Sequence, residues 1–215
     1  MRPLLECVVE TVDAAAGAER AGAQRLELCV RLETGGVTPP SPLIENVLAA
    51  VTIPVFVMIR PRAGDFVYSD DEIGQALGAI DEARSRGAHG FVLGALRKDG
   101  GVDIDRTSRL VARAAGLPVT FHRAFDDVAD QQAALEEVIA AGARRVLTSG
   151  AAATALEGAD RLAALVRQAG ARVTILAGGG VRAHNVRALL VRSGVSEVHA
   201  RHEGEAATRA LAGLL

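Results

Sequence analysis

VTFHRAFDD, residues 119–127, begins as a short apolar run and ends in a histidine, an arginine and two aspartates. The apolar part has the length and composition of a buried strand, so the polar groups fall at a strand's end. Taken alone, one such strand says little. What decides the fold is whether the rest of the chain repeats the pattern.

It does. Strand-like runs recur at LLECVV (4–9), RLELC (25–29), PVFVMIR (54–60), HGFVLGAL (89–96), PVTFHR (118–123), RVLTSG (145–150), RVTILAG (172–178) and EVHAR (197–201). Between them lie segments such as DEIGQALGAIDEARSRG, QAALEEVIAAG and ATALEGADRLAALVRQAG, whose apolar residues return at threes and fours as in amphipathic helices. Gly22, Gly87, Gly142, Gly170 and Gly194 stand where helices would close, and Ser69 and Asp70 where one would open. Strands that alternate with helices run parallel and are buried on both faces. Eight such units predict a (β/α)8 TIM barrel, one domain over residues 1–215, near the lower end of that fold's size range. The competing doubly wound sheet would carry GxGxxG in its first turn, where this chain has VETVDAAAGAE.

Composition narrows the function classes. A net charge of -2 and 3% aromatic residues argue against a nucleic-acid binder, which needs basic patches and stacking platforms. No apolar run approaches the length of a membrane span, and the first residues lack a signal-peptide pattern, so a cytoplasmic protein is expected. Two cysteines, Cys7 and Cys29, are too few for a disulfide framework or a four-cysteine zinc site.

In a barrel of this kind chemistry gathers at the C-terminal ends of the strands. There the chain places Glu6, Glu27, Arg60, His122, Arg123, Ser149 and His199, with Arg62, Asp65 and Asp126 in the following loops. Glu6 and Glu27 interrupt apolar strands, and a buried carboxylate needs a partner, water or a proton. Arg60 and His122 are the expected partners by strand order. Two readings stay open: an ion-pair network that fixes register, or a polar pocket in which Glu6, Glu27 and His122 transfer protons. Gly178, Gly179 and Gly180 precede a helix in AGGGVRAHN, so backbone and helix N-terminus together could meet an anion. Arg60, Arg62 and Arg123 add charge to that case.

With those stretches assembled, the chain resembles the CutC copper-homeostasis family. The resemblance rests on LELC, GGVTP (35–39), VFVMIRPRAGDFVYSDDEI (55–73), GALRKDGGVD (94–103), LPVTFHRAFD (117–126), RVLTSG, AGGGV and EVH, in family order along nearly the whole chain. It implies a (β/α)8 barrel, a cytoplasmic protein, assembly into dimers or larger homo-oligomers, and Cu(I) held by cysteines on the first two strands. The family pattern is Glu-x-Cys on both. Here strand 2 keeps it as Glu27-Leu28-Cys29, whereas strand 1 reads Glu6-Cys7-Val8. Neighbouring strand residues point to opposite faces. If Glu6 faces inward, Cys7 faces the helices and cannot meet Cys29, leaving Cys29 as the main copper ligand, with His122 as the candidate second. Ala63 replaces a usual glycine, and ARHEGEAATRALAGLL runs into the last helix without the family's longer loop. Three functions are thus expected to compete: copper binding, an enzyme acting on a small anionic or phosphorylated metabolite, and an interaction protein with an inert mouth.

Overall fold

In a computed structural model, residues 2–215 describe eight parallel strands closed into a barrel in the order β1 to β8. The strands are β1 (Leu4–Val9), β2 (Arg25–Leu28), β3 (Val55–Met58), β4 (Gly90–Leu93), β5 (Val119–Phe121), β6 (Arg145–Thr148), β7 (Thr174–Gly178) and β8 (Glu197–Arg201). Each is followed by a helix: α1 (Val12–Arg20), α2 (Ser41–Ala50), α3 (Asp70–Ser85), α4 (Ile104–Arg113), α5 (Gln131–Ala140), α6 (Ala159–Ala169), α7 (Val186–Ser193) and α8 (Glu205–Ala212). The expected barrel is therefore the observed one.

Alternation along the strands divides the core in two. Leu5, Cys7, Leu26, Leu28, Val55, Val57, Phe91, Leu93 and Val198 face out and join one cluster with the inner faces of the helices. Val8, Cys29, Phe56, Met58 and Val92 form a separate cluster inside the barrel. Pairing of β1 with β2 sets Glu6 opposite Arg25 and Val8 opposite Glu27, and pairing with β8 sets Glu6 opposite His199. That register decides which charged groups can meet.

Helix ends follow the chemistry read from sequence. The Ser69 hydroxyl accepts from the Glu72 amide while the Glu72 carboxylate accepts from the Ser69 amide, a reciprocal cap that starts α3. Gly22, Gly87, Gly142, Gly170 and Gly194 all have positive φ behind their helices. No helix among the described residues is long and apolar enough to cross a membrane.

Several boundaries differ from expectation. Cys29, Arg60, His122 and Ser149 lie just past their strands; the Arg60 and Ser149 amides donate to side chains there, while those of Cys29 and His122 still reach the neighbouring strand's carbonyls. The Arg60 amide donates to Thr38 Oγ1 (2.8 Å), and the Ala124 amide donates to His122 Nδ1 (3.3 Å), which starts the 3-10 turn Arg123–Asp126. The segment ATALEG before α6 forms turns instead of helix. Gly158 there sits so close to the Ser149 carbonyl that a Cβ would come within 1.9 Å of its oxygen. His184 lies in the turn before α7, not in the helix. That turn also separates the three glycines from the helix, so α7 does not point its first amides from directly behind them.

Candidate functional site

Two layers of charge lie one above the other inside the barrel. The lower one uses residues from the N-terminal parts of the strands. Arg25 donates through Nε to Glu6 and through Nη2 to Glu197 Oε2 (2.5 Å), and Arg145 Nε donates to the same Glu197 oxygen (2.9 Å). Both guanidinium groups lie over the Phe56 ring, at 5.1 and 5.5 Å from its centre. Glu6 is fully buried, and its second oxygen meets His199 Nδ1 at 2.8 Å. Burial alone would raise the Glu6 carboxyl, but Arg25 and His199 outweigh it and hold the group down at about 2. His199 is raised in turn: burial works against the charged ring, and Glu27 and Glu6 overcome it.

The upper layer surrounds a cavity of about 550 Å³ at the C-terminal mouth, walled by Glu27, Arg60, His122, Arg123, Gly179 and His199 among others. Its partners are far less complete. Glu27 is 3% exposed, and its Oε2 has no hydrogen-bond partner. Burial, with the Glu6 charge adding and His199 and Arg25 opposing, pushes this carboxyl up to about 7. His122 Nε2 is likewise buried without a partner, and burial, then the Arg60 charge, lowers the ring to about 3. His122 is thus a neutral imidazole at physiological pH, packed 4.8 Å from the Phe66 ring. Arg60, 4% exposed, lies over the Phe66 ring at 4.6 Å and forms no ion pair among the described residues. Its Nη1 donates to the carbonyls of Thr34 and Gly36, both at 3.0 Å, and its Nη2 to that of Gly64 at 2.7 Å.

The expected site residues are distributed unevenly over these layers. Glu27, Arg60, His122, Arg123, Gly179, Gly180 and His199 all face the cavity. Glu6 lies beneath it, and its partners are Arg25 and His199, not the expected Arg60 and His122. Strand order suggested those partners, but the stagger of the barrel brings β2 and β8 level with Glu6 instead. Arg62 and Asp65 pair with each other at 2.8 Å in the loop after β3, where Arg62 also grips Glu72 and the Val67 carbonyl, away from the cavity. Ser149 donates to the Ala152 carbonyl and accepts from Arg123, serving the loop after β6. Gly178 does not face a ligand: a Cβ there would sit 2.5 Å from Leu147, so packing inside the barrel requires the glycine. Gly179 and Gly180, at φ of +109° and +68°, make the turn that lines the cavity.

Arg25, Arg145 and Glu197 were outside the expected site, which considered only strand ends facing the mouth. For Arg25 and Glu197 the signal was present as alternation, since Arg25-x-Glu27 and Glu197-x-His199-x-Arg201 put charged or polar residues on one face; Arg145 is followed on its face by Leu147 and carried no such signal.

The cysteines do not share a site. Cys7 packs in the outer core, and burial together with the Glu6 charge pushes its thiol up to about 12. Cys29 belongs to the inner cluster, where burial, Glu27 and Glu10 also raise it. Val8 lies in that same inner cluster, on the face where a cysteine would approach Cys29. The residues present therefore do not fit a two-thiolate Cu(I) site.

Comparison with known proteins converges on one family. The CutC family model matches residues 3–204. The chain is 47% identical to the copper homeostasis protein cutC homolog of Homo sapiens, over 91% of this chain and 72% of that protein. It is 44% identical to the family protein CutC of Pasteurella multocida (strain Pm70), over 93% and 82% respectively. Among solved structures, a CutC copper homeostasis protein of Streptococcus agalactiae superposes with a TM-score of 0.87 at 33% identity, covering 92% of this chain and 97% of that one.

Proposed function

The chain belongs to the CutC family, and from that premise we propose that it serves copper homeostasis, the role its relatives are named for, by taking a small anionic molecule into the barrel mouth. One observation carries the reading: Arg60 is a buried cation with no carboxylate beside it. Leaving a buried charge uncompensated is costly, and an anionic ligand removes that cost. A guanidinium has five N–H groups, and backbone carbonyls take three of them here. One N–H on Nε and one on Nη2 remain, enough for a two-point grip on a carboxylate or phosphate. The Gly179–Gly180 turn and Arg123 stand across the same cavity.

An enzyme acting on such an anion is the second reading, supported by the unpartnered His122 Nε2 and Glu27 Oε2 on the cavity wall. A bound substrate would satisfy both atoms and meet groups able to exchange protons with it. Direct Cu(I) binding at Cys29 is the third, weakened by Val8. The cytoplasm as setting and a homo-oligomer as assembled form complete the proposal, to be checked by cell fractionation and light scattering.

Melting curves with inorganic phosphate and with acetate test the first reading. We expect a rise in melting temperature for the unmodified chain and none for Arg60→Met. No response to either anion would sink it. A Cu(I) competition titration under reducing conditions tests the third: tight one-to-one binding that disappears in Cys29→Ala would place copper at Cys29, while Val8→Cys serves as the positive control.

A further inference from the structure

We propose that Glu27, His199 and Glu6 form a site for one divalent first-row transition cation, of the Zn2+ class, between the barrel's floor and its mouth. Each of the three offers one donor atom, and those donors lie within 4.8 Å of one another. Acidic groups often cluster without holding an ion, so the second observation matters more. Glu27 is 3% exposed, lines the cavity, and carries an oxygen with no hydrogen-bond partner at all. Buried polar atoms are almost always satisfied, so an orphan beside two other donors points to a missing occupant.

The surroundings suit a metal. His199 Nδ1 and Glu6 Oε1 lie 2.8 Å apart, so an imidazole nitrogen and a carboxylate oxygen already face each other, as two ligands of one cation would. Glu6 itself is fixed from the other side by Arg25. Glu197 and Arg145 complete the same charged floor. Bond lengths of about 2.0–2.2 Å require donors roughly 3.4 Å apart in a tetrahedron, so the side chains would close in by about an ångström. Two oxygens and an imidazole, with no thiolate, select a borderline divalent ion over Cu(I). His199 is 12% exposed on the cavity side, so open coordination positions would face the mouth. This site does not depend on an anion at Arg60.

Equilibrium dialysis of the metal-stripped full chain against Zn2+, with metal analysis of the protein, tests the assignment. We expect about one Zn2+ per chain, at least tenfold weaker binding in Glu27→Gln, and unchanged binding in Cys29→Ala. Co2+ should give weak visible ligand-field bands without the near-ultraviolet charge transfer of a thiolate. Circular dichroism of each variant separates lost binding from lost fold, and the stoichiometry of the unmodified chain stands without any variant. No Zn2+ retained by the unmodified chain overturns the proposal. So does binding that survives Glu27→Gln or disappears in Cys29→Ala. Phosphate-induced melting shifts, measured on the same samples without metal, report separately on Arg60.

Discussion

The floor and the mouth of this barrel both set glutamate and arginine inside the strands, and they differ in the charged partners those groups have. On the floor Glu6, Arg25 and Glu197 are joined by short charge-assisted hydrogen bonds, and Arg145 adds a second donor to Glu197 while its Nη1 stays unpaired. At the mouth Arg60 has carbonyls but no counter-charge among the described residues, and His122 and Glu27 each keep an unpaired atom. Burial alone therefore does not mark a functional residue. Paired charges hold the strands in register, whereas an unmatched group keeps its interaction energy available.

The largest expected effect comes from breaking the floor. Arg25→Leu removes the guanidinium that joins Glu6 to Glu197, leaving Glu6 with His199 alone and Glu197 with Arg145 alone, and should cost about 3–5 kcal/mol of stability, read from urea denaturation midpoints. A loss below 1 kcal/mol would mean that the floor is not the matched layer described here.

Next, and opposite in sign, is Glu27→Gln at the mouth. Glu27 has its folded value raised to about 7 by burial and by Glu6, against His199 and Arg25. Its contribution is therefore complete below about 4.5 and is lost as pH rises toward 7. Glu6, held at about 2, behaves in the reverse way: its contribution is present above about 4.5 and is lost as pH falls toward 2. In metal-free buffer, Glu27→Gln should gain roughly 2–3 kcal/mol relative to the unmodified chain between pH 4.5 and 8. A flat difference across that range would show that Glu27 is matched after all.

Arg60→Met sharpens the contrast through binding. Removing the free guanidinium edge should weaken phosphate affinity about 10–100-fold, equivalent to about 1.4–2.8 kcal/mol, by isothermal titration. The smallest effect is expected for Arg62→Met. Arg62 is half-exposed and spent on its own loop, so it should cost less than about 1 kcal/mol and leave phosphate binding unchanged. An equal loss for Arg62 and Arg60 would erase the distinction between a loop brace and a ligand group.

Much of this was legible in sequence because it depends on local pattern. Short apolar runs alternating with period-3.6 segments give eight βα units, and the Ser69 cap and the five closing glycines mark helix ends. Strand parity also assigned Cys7 to the helix layer, which the outer core cluster bears out. Family motifs such as IRPR and VTFHRAFD added the identity that periodicity cannot supply.

What sequence left undecided was which charges meet. Glu6, Glu27, Arg60 and His122 were visible as candidates, but their partners depend on the stagger between neighbouring strands, a property of the closed barrel and of no single segment. Only the tertiary structure set Arg25 and His199 beside Glu6, turned Arg62 into a loop brace, and left Arg60 without a carboxylate. Local alternation fixes the face on which a side chain projects; the shear of the barrel fixes the height at which it arrives, and a charge is matched or free according to that height.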